Sequence, residues 1–134
     1  MFKGSCQCGR IRYRVNGPIT ELSHCHCGMC RKLHGAAYGT YAGIAVANFS
    51  WLAGESALKS YASSPGVVRT FCSVCGSTLQ ALFDEDPGLV YLTMGTVDGN
   101  PPHPEPFHIF TTSKAPWHTI TDGCAQYEEW RDGP

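Results

Sequence analysis

The chain has 134 residues, with ten Lys and Arg against eleven Asp and Glu, and hydrophobic residues make up 43% of it. That length fits one domain around a single core, and no apolar run approaches the length of a membrane span. The slightly negative net charge argues against a nucleic-acid binder, whose phosphate contacts need a basic surface.

The charge is unevenly distributed. Residues 1–34 hold Lys3, Arg10, Arg12, Arg14, Arg31 and Lys32 against Glu21 alone, while the chain from Asp84 onward is mostly acidic. Fifteen Gly and nine Pro, spread along the whole length, cut the chain into the short segments of an antiparallel all-β domain. Residues 1–9 carry no apolar leader and no small-residue cleavage site, so the protein is expected in the reducing cytoplasm, with its thiols free.

In chain order, the first motif is Cys6-x-Cys8, followed at 10–15 by strict alternation of Ile11, Tyr13 and Val15 with three arginines, the pattern of a half-buried strand. Next come Cys25-x-Cys27-x-x-Cys30, flanked by His24 and His26, and the basic pair Arg31 and Lys32. Strands are predicted at 38–44, 58–61, 67–71, 78–83, 89–94 and 107–111, bounded by turn-forming residues. Single helical turns are predicted within 45–51 and 122–130, neither with a sustained helical stripe. Two antiparallel sheets are expected to pack face to face around Tyr13, Phe49, Trp51, Phe71, Leu79, Leu82, Leu92 and Ile109. His108 reads as a satisfied strand histidine and Cys124 as a small half-buried hydrophobe.

Cys72-x-x-Cys75 completes the set: seven of the eight cysteines lie in three tight clusters. Disulfides between cysteines one residue apart would close strained rings, whereas thiolates at these spacings suit zinc. Each cluster runs into a glycine, Gly9, Gly28 or Gly76, expected at positive φ so that backbone N–H groups turn toward sulfur. Spacing alone permits three groupings of the clusters. The two isolated pairs make one closed four-cysteine set and leave Cys25, Cys27 and Cys30 one ligand short. Structural zinc sites are closed by four protein ligands, while catalytic ones keep a position open.

The succession Gly4-Ser5-Cys6-x-Cys8-Gly9, Cys25-His26-Cys27-x-x-Cys30-Arg31-Lys32-x-His34-Gly35 and Arg69-x-Phe71-Cys72-x-x-Cys75-Gly76-Ser77 resembles the glutathione-dependent formaldehyde-activating enzyme family, which includes relatives of centromere protein V. The likeness continues through Phe49-x-Trp51, Gly54-Glu55 and Gly95-x-x-Asp98 to His108-Ile109-Phe110, Lys114-x-x-Trp117 and Asp122.

The resemblance implies one domain over residues 1–134 with a β-tent fold. It implies a structural zinc on Cys6, Cys8, Cys72 and Cys75, and a second zinc on Cys25, Cys27 and Cys30. The implied activity is that of a carbon–sulfur lyase acting in reverse, joining formaldehyde to glutathione as S-(hydroxymethyl)glutathione. In that reading the triplet presents a metal-bound substrate thiol, Arg31, Lys32 or Arg69 holds a glutathione carboxylate, and His34 relays a proton. The alternative reading is a non-catalytic binding module that zinc stabilises. Neither nucleic acid nor membrane is an expected partner.

Overall fold

The computed structural model describes residues 1–131. In chain order its elements are β1 (Phe2–Ser5), β2 (Arg12–Val15), β3 (Glu21–Cys25), α1 (Gly28–His34), β4 (Gly39–Ala45), β5 (Phe49–Ala53), β6 (Leu58–Ser64), β7 (Val67–Cys72), β8 (Thr78–Phe83), β9 (Leu89–Thr93) and β10 (Phe107–Ile109). No helix among the described residues is long and apolar enough to cross a membrane.

The alternation in β2 does what its pattern predicts: Tyr13 and Val15 are buried and the arginines face water. β1, β2 and β5 form a three-stranded sheet, and the other strands form a seven-stranded sheet in the order β10-β3-β4-β9-β8-β7-β6. The small sheet covers one face of the large one, where Ile11, Tyr13 and Val15 pack with Leu22, Ala42, Ile44, Leu79 and Leu92. Tyr13 reaches across this core to hydrogen-bond Thr96 Oγ1 at 2.8 Å. The approach requires a glycine at position 4, where a Cβ would stand 2.1 Å from the Tyr13 hydroxyl. A second cluster, with Cys25, Cys30, Tyr41, Ala81, Phe107 and Ile109, occupies the opposite face of the large sheet. This second face carries the groove described below.

The structure departs from the sequence expectations in several places, among them helix α1 over Gly28–His34, which no helical stripe announced. β10 runs parallel to β3, in the register Phe107↔Ser23, His108↔His24, Ile109↔Cys25, so the large sheet is mixed. The helical turn expected within 45–51 is present as a 3-10 turn at Val46–Asn48, but the chain then enters the unexpected strand β5, because the Phe49 and Trp51 rings pack beside Tyr13. No helix forms at 122–130: the Asp122 carboxylate captures the Cys124 N–H, Gly123 takes φ 74°, and the chain runs along the outer side of β10. There Ala125 O accepts from His108 N–H, and Tyr127 N–H donates to His108 O, so the edge of β10 is covered. Finally, Phe49, Trp51, Phe71 and Leu82 are only half-buried, since they lie where the small sheet ends or on the outer side of a strand.

Candidate metal centres and the groove beside them

Cys6 and Cys8 follow β1, while Cys72 and Cys75 end β7 and begin the next turn; folding brings the four sulfurs within 4.8 Å of one another. Cys6 and Cys8 lie 3.5 Å apart and Cys8 and Cys72 3.9 Å. Four sulfurs around a tetrahedral zinc, each about 2.3 Å from the metal, would lie about 3.8 Å apart, so the donor set fits the ion. Backbone N–H groups point at the sulfurs, Ile11 N to Cys6 Sγ at 3.3 Å and Cys75 N to Cys72 Sγ at 3.4 Å. Ser77 ties the two halves together by accepting from Gln7 N–H at 2.9 Å and lying 3.3 Å from Cys75 Sγ. Its hydroxyl pulls the Cys75 thiol down to about 5, favouring the thiolate a metal needs. Gly9 and Gly76 have φ near 80°, as expected of these turns. Gly28 does not, because it opens α1 instead.

The triplet is assembled from three successive pieces of chain. Cys25 ends β3, Cys27 caps α1, accepting from Cys30 N–H at 3.3 Å, and Cys30 is buried one turn into the helix. The three sulfurs lie within 4.8 Å of one another. Hydrogen bonds from the Cys25 and Cys30 thiols hold Cys27 down to about 2, while hydrogen bonds with Cys27 and Cys30 push Cys25 up. Three sulfurs this close shed all their protons only if a cation takes the charge, which is the donor chemistry of a thiolate metal site. No fourth protein donor joins them among the described residues, and Cys124 lies elsewhere, beside Asp122.

The triplet forms one end of a groove of about 680 Å³. Alternation along β3 and β10 aims Ser23, Cys25, Phe107 and Ile109 into it. Aromatic rings of Phe83, Tyr91, Phe110 and Trp130 also line it, with Glu21, Glu85, Asp86 and Arg131. Phe110 takes a left-handed backbone at φ 55°, a conformation costing a non-glycine residue about 1–2 kcal/mol, and its ring stacks edge-on to Trp130 at 4.9 Å.

Tyr41, on β4, organises the thiolate end. Its hydroxyl donates to Cys30 Sγ at 3.4 Å, accepts from Arg69 Nη1 at 2.8 Å and lies 2.8 Å from His34 Nε2. With its single proton given to sulfur, the third partner must donate, which assigns the Nε2–H tautomer to His34. Burial, together with the Cys30 thiolate, raises the Tyr41 pKa, so the phenol stays protonated. Arg69 is 6% exposed, and its guanidinium meets Tyr41, Ser63 and Met29 but no carboxylate among the described residues. A buried cation without a carboxylate, lining a groove, is a ready anion partner.

A family model described as glutathione-dependent formaldehyde-activating enzyme matches residues 1–113. The chain belongs to this family. A Halomonas elongata protein named "Putative glutathione-dependent formaldehyde-activating enzyme" is 32% identical over 130 residues, covering 90% of this chain and 81% of its own. The crystal structure of a Rhodobacter sphaeroides protein, 20% identical, superposes with a TM-score of 0.64 over 78% of this chain and 97% of its own, a likeness of fold.

Within this formaldehyde-activating family member, the sequence-predicted residues divide. Arg69 lines the groove, whereas Arg31, Lys32 and His34 all fall in the last turn of α1, where cations offset the helix dipole, and none of them lines the groove. Tyr41 joins His34 to the triplet by hydrogen bonds. Sequence reasoning passed over Tyr41 itself, because a tyrosine in an apolar strand reads as core. It also passed over the aromatic lining of the groove. His108 proves buried with both ring nitrogens hydrogen-bonded, as a satisfied strand histidine should be.

Proposed function

We propose that this protein joins a small thiol, glutathione in the first instance, to formaldehyde, the chemistry of a carbon–sulfur lyase run in reverse. The observation carrying the reading is that the three sulfurs of Cys25, Cys27 and Cys30 and the carboxylate-free guanidinium of Arg69 open onto one groove. Cys25, Cys27 and Cys30 would hold a zinc ion, which would supply an open position favouring the thiolate form of a substrate thiol near neutral pH.

The chain's own residues supply the rest. Arg69 holds a substrate carboxylate by charge-assisted hydrogen bonds and so places the thiol end beside the triplet. The sulfur lone pair then forms the S–C bond while the carbonyl π pair moves to oxygen, which takes a proton. Tyr41 is the acid beside Cys30, and the His34 Nε2–H behind it replaces the proton it gives as His34 Nδ1 takes one from water. The reverse sequence breaks the S–C bond and returns aldehyde and thiol. Cysteines that must stay free of disulfides fit a reducing cytoplasm.

Exchange between glutathione, formaldehyde and their adduct, followed by NMR, tests the reading against the uncatalysed background. Acceleration by the wild-type protein that is lost in Cys25→Ser and reduced in Arg69→Gln supports it. A wild-type protein no faster than background overturns it.

A further inference from the structure

On the face of β3 and β10 turned away from the groove, the same alternation that aims Cys25 at the thiol site brings His24 and His108 side by side, with ring centroids 4.8 Å apart. Asp122 approaches from the segment covering the β10 edge, its Oδ2 2.8 Å from His108 Nε2. One donor atom from each of the three lies within 4.8 Å of the others. Each donor is held from behind. His24 Nδ1 lies 2.8 Å from Thr40 Oγ1, which leaves Nε2 as its free donor. His108 Nδ1 lies 2.7 Å from His26 Nε2, and Asp122 Oδ1 accepts the Cys124 N–H at 3.0 Å. Outer partners that fix the far atom of every donor while the near atoms converge are the supporting shell of a metal site. His108 is 1% exposed, whereas the Asp122 side chain is 41% exposed and leaves a path for an ion.

We propose that His24, His108 and Asp122 form a third metal site, chemically distinct from the thiolate centres. Two imidazoles and one carboxylate with open positions suit a borderline divalent ion such as zinc, nickel or cobalt, and not calcium or magnesium, which take oxygen ligands. The ion takes the place of the proton between His108 Nε2 and Asp122 Oδ2, and His108 Nδ1 then donates to His26. Its effect is to clamp the segment after Asp122 onto the sheet. That segment leads to Trp130 and Arg131, which wall the groove on the opposite face. The proposal does not depend on the thiol chemistry.

The test uses the full chain with its cysteine centres loaded with zinc, titrated with cobalt(II). The expected result is one further equivalent with weak visible bands and no thiolate-to-cobalt charge transfer. His24→Ala and Asp122→Asn, both at positions that are not fully buried, should weaken that uptake at least tenfold, and Thr40→Val by about 10–100-fold. Cys25→Ser should leave it in place. Absence of a further equivalent in the wild-type protein, or its undiminished binding in both ligand variants, overturns the proposal. A charge-transfer band accompanying the uptake also overturns it, since the cobalt would then sit on cysteine.

Discussion

Arg69 Nη1 donates to Tyr41 Oη at 2.8 Å although their strands, β7 and β4, are separated in the sheet by β8 and β9. The two long side chains meet because Ala81, beside Arg69 in register, is small and leaves the floor of the groove open between them. The arrangement sets a buried cation against a phenol and leaves it without a carboxylate among the described residues, the feature on which the proposed binding of a substrate carboxylate rests.

Replacing Arg69 with Gln removes a charge-assisted contact of about 1.5–3 kcal/mol, so KM for a carboxylate-bearing thiol should rise roughly 10–100-fold. A neutral thiol of similar size should be affected far less. Steady-state kinetics with the two thiols would check this.

The two cysteine centres should separate cleanly on mutation. Cys72 is fully buried in the closed set, and Cys72→Ser should lower Tm by at least about 10 °C and cost that metal. Cys25→Ser should lose about one metal equivalent while keeping most of the melting temperature. Differential scanning fluorimetry and elemental mass spectrometry on the same samples would decide it.

Gly39 sits opposite Cys25 in the β3–β4 ladder, and a Cβ there would lie 2.8 Å from the His34 ring and 3.0 Å from Tyr41 Oη. Gly39→Ala should therefore displace His34 and break its hydrogen bond to Tyr41, at a cost of about 1–3 kcal/mol. The His34 imidazole resonance should shift in NMR spectra, with the adduct reaction slowed and the thiolate metal retained.

Tyr91, in the groove wall, has its hydroxyl pushed up to about 12 by burial and by the charges of Glu21 and Asp86. Because the folded protein holds this proton more tightly than the unfolded chain, the stability contribution is complete below pH 10 and is lost as pH rises through 12. Phenolate absorbance of wild type minus Tyr91→Phe should show this late titration, and one centred at pH 10 would contradict it.

Much of this molecule was legible in its residues, for reasons that can be named. The alternation in β2 is a local signal with a single physical meaning and holds in the fold; the cysteine spacings mark metal ligands but permit three groupings, of which the fold assembles Cys6 and Cys8 with Cys72 and Cys75. β10 lies parallel to β3 only because a long connection returns it there, and nothing in Phe107-His108-Ile109 encodes its neighbour. For the same reason Arg69 and Tyr41 could not be paired from sequence. Arg31 and Lys32 drew attention by adjacency to Cys30, yet a helix turns adjacent residues in different directions, and these two complete its last turn.

β7 carries Arg69 in the groove and, three residues on, Cys72 in the closed cysteine set on the other face of the sheet. The groove's buried cation and a member of the closed cysteine set thus share one stretch of backbone. Starving the protein of metal, or oxidising Cys72, would slacken the end of β7 and withdraw the guanidinium from its post before the remaining core melts. Loss of metal from the closed set would thus reach the groove through β7 as well as lower the melting temperature.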